Sequence, residues 1–145
     1  MELNIKLLSP KATVPKYATP GSAAMDLTAC LDEPVFLNPG QRTLLPTGIA
    51  IALPSAEYVA LVFARSSLGA KYGISLSNGV GVIDSDYRGE IKVGLTNHSD
   101  VPYTLQPGDR VAQLAVFPVV QADIRCVAEL DETDRGTGGF GSTGK

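Results

Sequence analysis

An all-β fold with one short helix and a flexible C-terminal tail is predicted by three observations on this 145-residue chain. Short runs of apolar or alternating residues follow one another at close spacing, which is typical of strands. The chain contains 15 Gly and 10 Pro, enough to punctuate many short elements. Helical periodicity is nearly absent. Together these features predict a β-sandwich, a jelly roll or a distorted β-barrel.

The elements are predicted from the N-terminus onward by their hydrophobic patterns. Leu3, Ile5 and Leu7 alternate with polar residues, which indicates a half-buried first strand. Further strand candidates, each short and rich in apolar residues, lie at residues 48–53, 58–63, 74–76, 80–83, 90–96 and 110–119. A single helical turn is predicted over residues 66–72, capped by Ser66 or Ser67 and ended by Gly73.

The pattern L-x-P-G-x-R occurs twice, beginning at Leu37 and at Leu105. Pro fixes φ at the second position of a type II turn, and Gly supplies the positive φ that the third position requires. Two copies are too few for a repeat protein. We therefore expect two equivalent strand-to-strand turns.

Composition argues against several classes of protein. The net charge is −3 and every Lys and Arg stands alone, so binding to nucleic acid has little support. No apolar stretch is long enough to span a membrane and no signal peptide is recognisable, which favours a soluble, cytoplasmic protein. Cys30 and Cys126 are expected to be free, buried thiols. His98 is the only histidine, so a His/Cys zinc cluster lacks its ligands.

The segment NGVGVIDSDYRGE, residues 78–90, concentrates functional side chains between two predicted strands. Asp84 follows apolar residues, and a carboxylate in that setting can act as a general base toward water. Asn78 and Gly81 offer an amide and an approachable backbone to a nucleobase edge, and Tyr87 can lie flat against a sugar. Each also has a structural interpretation: a hairpin turn at Asn78, a turn former at Asp84 and a core ring at Tyr87.

Two further segments have features that suit an anionic ligand. Arg65, Ser66 and Ser67 follow a predicted strand and offer a cation and two hydroxyls, although capping serines beside a surface arginine explain the same residues. Asp26 is either a turn residue or a paired, buried carboxylate. In the Gly-rich tail, backbone amides and hydroxyls can hold anionic oxygens while the single aromatic ring, Phe140, stacks on a flat ligand.

Five sequence motifs in this order resemble those of the trimeric deoxyuridine triphosphate nucleotidohydrolases, the dUTPases. They are AMDLTA at 24–29, ARSSLGAKYGI at 64–74, NGVGVIDSDYRGE at 78–90, PGDRVAQL at 107–114 and RGTGGFGSTG at 135–144. The resemblance implies a β jelly roll that trimerises, with sites at subunit boundaries. It also implies hydrolysis of dUTP to dUMP and pyrophosphate with Mg²⁺, which limits uracil in DNA and supplies dUMP for thymidylate synthesis.

The resemblance assigns roles to individual residues. Asp84 would deprotonate the water that attacks the α-phosphate, Asp26 would support the site, and Tyr87 would pack on the deoxyribose. The uracil-reading hairpin would contain Asn78, Gly81, Val82 and Ile83. Phosphate contacts would come from Arg65, Ser66, Ser67, Gly69 and Gln113. A lid from another subunit would contribute Arg135, Phe140, Gly141, Ser142 and Thr143.

Some features of this assignment depart from the family or stay open. Ser67 is commonly glycine in the family, so its role depends more on its backbone N–H than on its hydroxyl. Magnesium would have no direct protein ligand and would be held through substrate phosphates and waters. The predicted domains are a jelly roll over residues 1–130 and a lid over residues 131–145. The alternatives are an enzyme related to dCTP deaminase, with the same fold, and a non-catalytic jelly-roll nucleotide-binding protein.

Overall fold

The structure is a computed structural model that describes residues 1–139. Phe140, Gly141, Ser142 and Thr143, which were predicted to belong to the lid, lie outside the described residues. The described part contains 12 strands and one short helix. The prediction of an all-β fold with one helix is therefore confirmed.

The strands form two larger sheets and two strand pairs, all antiparallel. The largest sheet has the spatial order β2 (Lys16–Tyr17), β3 (Met25–Thr28), β12 (Arg110–Pro118), β7 (Tyr58–Phe63) and β9 (Gly81–Ile83). The second sheet has the order β5 (Arg42–Pro46), β10 (Lys92–Asn97) and β8 (Ile74–Leu76). The pairs are β1 (Asn4–Leu7) with β6 (Ile49–Ala52), and β4 (Val35–Leu37) with β11 (Tyr103–Leu105).

One hydrophobic core lies between the buried faces of these sheets. Val93 and Leu95 alternate with more exposed residues along β10, while Val111 and Leu114 are buried in β12. Complete burial of such a side chain stabilises the fold by roughly 1.5–3 kcal/mol. Because side chains alternate along a strand, each sheet packs its apolar face against the core. Because β7 and β12 are central strands, they provide a rigid support for side chains on either face of the largest sheet.

Both copies of L-x-P-G-x-R form the predicted turns. Gly40 and Gly108 have φ angles of 73° and 82°, as the third position of a type II turn requires. The backbone N–H of Gln41 donates to the carbonyl of Asn38 at 3.0 Å, and that of Asp109 donates to the carbonyl of Gln106 at 3.1 Å. The first turn leads from β4 into the second sheet and the other from β11 into the largest sheet. The repeated pattern thus connects one strand pair to both larger sheets.

The helix α1 spans Ser66–Tyr72, as predicted, and ends where Gly73 adopts a left-handed conformation. Its N-cap residue is Arg65, in an extended conformation, and no side chain makes a capping hydrogen bond. The prediction that Ser66 or Ser67 caps the helix is therefore wrong. Both serines are exposed, and neither hydroxyl makes a capping hydrogen bond to the helix.

Asn97 is the clearest case of a buried polar residue with a structural role. Its side chain is 0% exposed. The Nδ2 group donates to the carbonyls of Leu37 at 3.0 Å and Val101 at 2.8 Å, and Oδ1 accepts from the backbone N–H of Ser99 at 2.9 Å. A buried amide is tolerated when its hydrogen bonds are made in this way. Asn97 therefore ties β10 to β4 and to the following turn.

Two smaller expectations are corrected by the structure. In β1, Ile5 is half-buried but Leu7 is 46% exposed, so the alternation holds only in part. Both cysteines are free thiols, but Cys30 is half-buried and Cys126 is exposed, so their predicted burial is wrong for Cys126. Among the described residues, no helix is long and apolar enough to cross a membrane.

Candidate active site

A cavity of about 490 Å³ opens between β9, an edge strand of the largest sheet, and the second sheet. Its apolar floor consists of buried core side chains, among them Val62, Leu76 and Val93. Its lining also includes the residues predicted to hold the base and sugar and to activate water, namely Asn78, Gly81, Val82, Ile83, Asp84 and Tyr87. We call this the first cavity. An apolar floor with a few polar groups at the rim is typical of a small-molecule site.

The loop after β9 presents Asp84 and Tyr87 in a fixed relation. The backbone N–H of Tyr87 donates to the carbonyl of Asp84 at 3.2 Å, which closes a turn. The Tyr87 hydroxyl donates to the carbonyl of Glu90 at 3.0 Å. Asp84 is exposed, next to the buried Ile83. The carboxylate is thus accessible to water at the edge of an apolar wall.

The turn that carries Asn78 differs from the predicted hairpin. The backbone N–H of Gly79 donates to the carbonyl of Leu76 at 3.3 Å, so the chain does turn here. However, β8 pairs with β10 and β9 pairs with β7. The segment therefore crosses from the second sheet to the largest sheet, and the first cavity lies beside this crossing.

A second cavity, of about 440 Å³, contains most of the predicted phosphate contacts. Four of its lining residues were named from the sequence: Asp26, Arg65, Ser66 and Gln113. Gln113 lies on β12 directly opposite Asp26 of β3 and Phe63 of β7. The three central strands of the largest sheet therefore bring these side chains together.

Asp26 holds two arginines in the second cavity. Its Oδ1 lies 3.1 Å from Nε of Arg65, and its Oδ2 lies 3.0 Å from an Nη atom of Arg110. Arg65 also donates to the carbonyl of Arg110 at 3.3 Å, which engages two of the five N–H donors of its guanidinium. Two cations around one carboxylate leave net positive charge, and the remaining donors of Arg65 suit an anion.

Arg110 is the functional candidate that sequence reasoning missed. Three positions separate it from Gln113, so in a regular strand the two side chains would face opposite sides of the sheet. The pairing of β12 with β3 shifts register between Arg110 and Ala112. Such a bulge redirects side chains, and both residues line the second cavity. The repeated L-x-P-G-x-R pattern marked Arg110 as notable but indicated only a turn.

The other predicted phosphate contacts lie around α1. Ser67 lines a third cavity, of about 210 Å³, with Arg65, Arg110 and Tyr103. Burial raises the pKa of the Tyr103 phenol, nearby Asp109 and Tyr72 raise it further, and Arg65 opposes the shift. Gly69 lies within α1, where its N–H donates to the carbonyl of Arg65 at 3.1 Å. Its contact with substrate stays a prediction.

The predicted lid residue Arg135 is exposed in a C-terminal turn. Its Nε donates to the carbonyl of Gly138 at 2.9 Å. The described chain from 119 to 139 contains no strand or helix, and Val120, Ile124 and Leu130 along it are 90%, 98% and 85% exposed. Residues 119–130, predicted to belong to the jelly roll, thus extend beyond its last strand.

The first and second cavities share no lining residue. Val62 and Phe63 are consecutive in β7; Val62 lines the first cavity and Phe63 lines the second. Because consecutive strand residues point to opposite faces, the two cavities lie on opposite sides of the largest sheet within one chain. The residues predicted to hold the base and those predicted to contact the phosphates are therefore separated by β7.

The family of this chain follows from comparison with known proteins. The model of the dUTPase family matches residues 10–144. The chain belongs to the dUTPase family. It is 54% identical over 132 residues to the deoxyuridine 5'-triphosphate nucleotidohydrolase of Idiomarina loihiensis, covering 91% of this chain and 87% of the relative. It is 52% identical over 147 residues to the enzyme of the same name from Paraburkholderia phymatum, covering 100% and 99%.

Solved structures of the dUTPase family share the fold. A dUTPase variant of Staphylococcus bacteriophage 80alpha, determined with dUpNHpp, has a TM-score of 0.89 and 26% identity over 99% of each chain. A dUTPase variant of phage phi11 of S. aureus, described with a structural Mg(II) ion, has a TM-score of 0.82. It is 23% identical and covers 91% of this chain and 100% of its own. These similarities confirm the predicted jelly-roll class.

Proposed function

We propose that this protein hydrolyses dUTP to dUMP and pyrophosphate, limiting uracil in DNA and supplying dUMP for thymidylate synthesis. Water adds to the α-phosphorus, the bond to the oxygen bridging the α- and β-phosphates breaks, and pyrophosphate leaves. The observation that carries the proposal is the first cavity, in which Asp84 lies at the rim beside Asn78 and Tyr87. Family membership and relatives at 54% and 52% identity support the same reaction.

Asp84 is the proposed general base. It accepts a proton from the attacking water, so the nucleophile gains hydroxide character as it approaches phosphorus. The exposed carboxylate beside the buried Ile83 supports this role, because water reaches it along an apolar wall. The backbone N–H of Tyr87 donates to the carbonyl of Asp84 at 3.2 Å, and this turn holds the Asp84 backbone in place.

The first cavity would read the base and the sugar. Asn78 and the backbone of Gly81, Val82 and Ile83 offer donors and acceptors to the uracil edge, and an amine at C4 would meet mismatched donors. The Tyr87 ring would pack on deoxyribose and leave no room for a 2′-hydroxyl. Its hydroxyl already donates to the carbonyl of Glu90 at 3.0 Å, which supports a fixed ring position.

The second cavity would hold the phosphates. Arg65, with Asp26 keeping it in place at 3.1 Å, supplies a guanidinium, while Ser66 and Gln113 supply neutral donors. Ser67 and Gly69 are assigned supporting contacts from the same helix. The Nε2 group of Gln113 donates to the carbonyl of Ala64 at 3.1 Å, which fixes its amide near the start of α1.

Magnesium is the proposed metal ion. Within residues 1–139, no group of three or more His, Cys, Asp or Glu side chains could hold a metal ion. Magnesium commonly binds through substrate phosphates and keeps several waters, so this donor set fits an ion that arrives with the triphosphate. When bound, it would neutralise charge on the phosphate oxygens.

We further propose a homotrimer with sites shared between subunits. Within one chain, the first and second cavities lie on opposite sides of β7, so residues from different copies would complete one site. The side chains of Val120, Ile124 and Leu130 are 90%, 98% and 85% exposed, and covering them with another copy would remove this apolar surface from water. Nucleic acid and membrane are not proposed as partners, and the cytoplasm is the proposed location.

The lid is tested by deletion of residues 135–145. We expect the truncated protein to keep its fold, because the strands end at Pro118 and the core uses none of the described tail. Turnover should fall by orders of magnitude, since a closing segment excludes bulk water and completes the site. Circular dichroism and pyrophosphate release measure the two effects. Full activity after truncation would contradict the proposed division into a jelly roll (1–130) and a lid (131–145).

A substrate panel tests the proposed function itself. Pyrophosphate release is measured with dUTP, dTTP, dCTP, dATP, dGTP and UTP, and ammonia release is measured with dCTP. We expect pyrophosphate from dUTP alone at a high rate. Ammonia from dCTP would instead indicate an enzyme related to dCTP deaminase, and binding without turnover would indicate a nucleotide-binding protein.

A further inference from the structure

The Tyr87 ring lies directly over the backbone of Gly89. A β-carbon added to Gly89 would lie 2.3 Å from the Tyr87 hydroxyl oxygen, 2.6 Å from Cζ and 3.0 Å from Cε2. The first two distances are shorter than those that β-carbons adopt with nonbonded atoms. The ring therefore occupies the space that any side chain at position 89 would need.

Space, rather than backbone conformation, requires glycine at this position. Gly89 is not among the glycines with positive φ, so its backbone is one that other residues adopt readily. At Gly40 and Gly108 the reverse holds, because φ is positive and an added β-carbon meets nothing within 4 Å. Gly89 is thus required by the proximity of one side chain, that of Tyr87.

The surroundings of Gly89 are well fixed. The Tyr87 hydroxyl donates to the carbonyl of Glu90. The Glu90 carboxylate accepts from the backbone N–H of Gly48 at 2.9 Å, and the N–H of Ile91 donates to the carbonyl of Ile49 at 2.9 Å. The segment 89–91 is therefore fastened to the start of β6. The Tyr87 side chain, in contrast, is held by the hydrogen bond from its hydroxyl to the carbonyl of Glu90.

We propose that Gly89 is a positioning residue that sets the discrimination between deoxyribose and ribose by giving the Tyr87 ring its place. The inference rests on the proposed function, in which that ring packs on the sugar. Tyr87 is 45% exposed, so its ring has solvent to move into. An added β-carbon at position 89 therefore displaces the ring, while the fastened backbone of segment 89–91 stays in place. The fold stays intact and the wall that excludes a 2′-hydroxyl is lost.

The first experiment compares Gly89→Ala with the wild-type protein. The ratio of kcat/KM for dUTP to that for UTP should fall by about tenfold or more, in the range that separates substrates differing by one small group in a shaped pocket. Most of the change in this ratio should come from the KM values rather than from kcat, because the catalytic carboxylate stays in place. An unchanged ratio would overturn the proposal.

A matched glycine and a melting curve separate this effect from general damage. Gly21→Ala adds the same methyl group where nothing lies within 4 Å and φ is not positive, so its substrate ratio should equal that of the wild type. Thermal unfolding of Gly89→Ala should stay close to that of Gly21→Ala. A Gly89→Ala protein that loses its fold would contradict the displacement of Tyr87 into solvent.

The second experiment asks whether Gly89 acts through Tyr87. In a Tyr87→Ala background the obstructing ring is absent, so Gly89→Ala should produce no further fall in the dUTP to UTP ratio. A full effect in that background would overturn the inference while leaving the proposed function intact. If Tyr87→Ala alone leaves the ratio unchanged, the assigned role of Tyr87 in the proposed function fails instead. The two failures are therefore distinguishable.

Discussion

Replacing Asp84 with Asn is expected to lower kcat for dUTP by about 10²–10⁴-fold, the usual contribution of a general base. Asn has almost the same shape as Asp, so the first cavity keeps its lining. Its amide, however, cannot take a proton from water at neutral pH. Single-turnover pyrophosphate release measures the rate, and equilibrium titration with dUpNHpp measures the affinity, which should change little.

Asp86→Asn provides the matched control for this experiment. Asp86 is also exposed and lies two residues further along the same loop, but it does not line the first cavity. The substitution removes the same charge at nearly the same place and should leave kcat close to that of the wild type. A kcat near the wild-type value in Asp84→Asn, or equal losses in both variants, would contradict a specific role for the Asp84 carboxylate.

The predicted strands match seven of the twelve that the described residues form, because their signals are local, whereas β2, β3, β4, β5 and β11 were not among the strand candidates. The helix at 66–72 and the strands at 58–63 and 74–76 have the bounds that the sequence indicated. The L-x-P-G-x-R turns also follow from the chemistry of Pro and Gly at adjacent positions. Capping could not be predicted in the same way, because Ser66 offers a suitable side chain whether or not the chain uses it.

The membership of each cavity depends on pairing between distant strands, which one sequence does not specify. The residues around Asp84 lie in one continuous segment, so their proximity could be inferred from the sequence. Arg110 joins Asp26 only because the register shift in β12 turns its side chain toward the face that Gln113 occupies. Likewise, a hairpin was expected at Asn78, but β8 and β9 pair with strands of different sheets.

The separation of the two cavities is the feature with the greatest functional consequence. The motifs indicated one site. In the structure, however, Val62 lines the first cavity and Phe63 lines the second, on opposite sides of β7. The proposed site completed by neighbouring copies would resolve this, because one copy could offer its first cavity to the second cavity of another. Such a head-to-tail contact forms a closed ring when it repeats around a symmetry axis, as in the proposed homotrimer.

Complementation between two inactive variants tests this arrangement with a large expected effect. Asp84→Asn and Arg65→Ala should each be nearly inactive alone, since one lacks the proposed base and the other lacks the proposed phosphate-binding cation. In mixed oligomers assembled from equal amounts, some sites combine an intact Asp84 from one copy with an intact Arg65 from another. Random assembly places both in about a quarter of the sites, so activity should recover to about a quarter of the wild-type value.

A second pair of variants provides the control for complementation. Asp84 and Tyr87 line the same cavity of the same chain, so mixing Asp84→Asn with Tyr87→Ala leaves every first cavity with one defect. No activity beyond the average of the two variants is then expected. If each chain contained a whole site, the Asp84→Asn and Arg65→Ala mixture would also fail to recover. Recovery in the first mixture together with none in the second would assign the base and the phosphate-binding arginine to different copies, because only residues on separate chains can be restored independently.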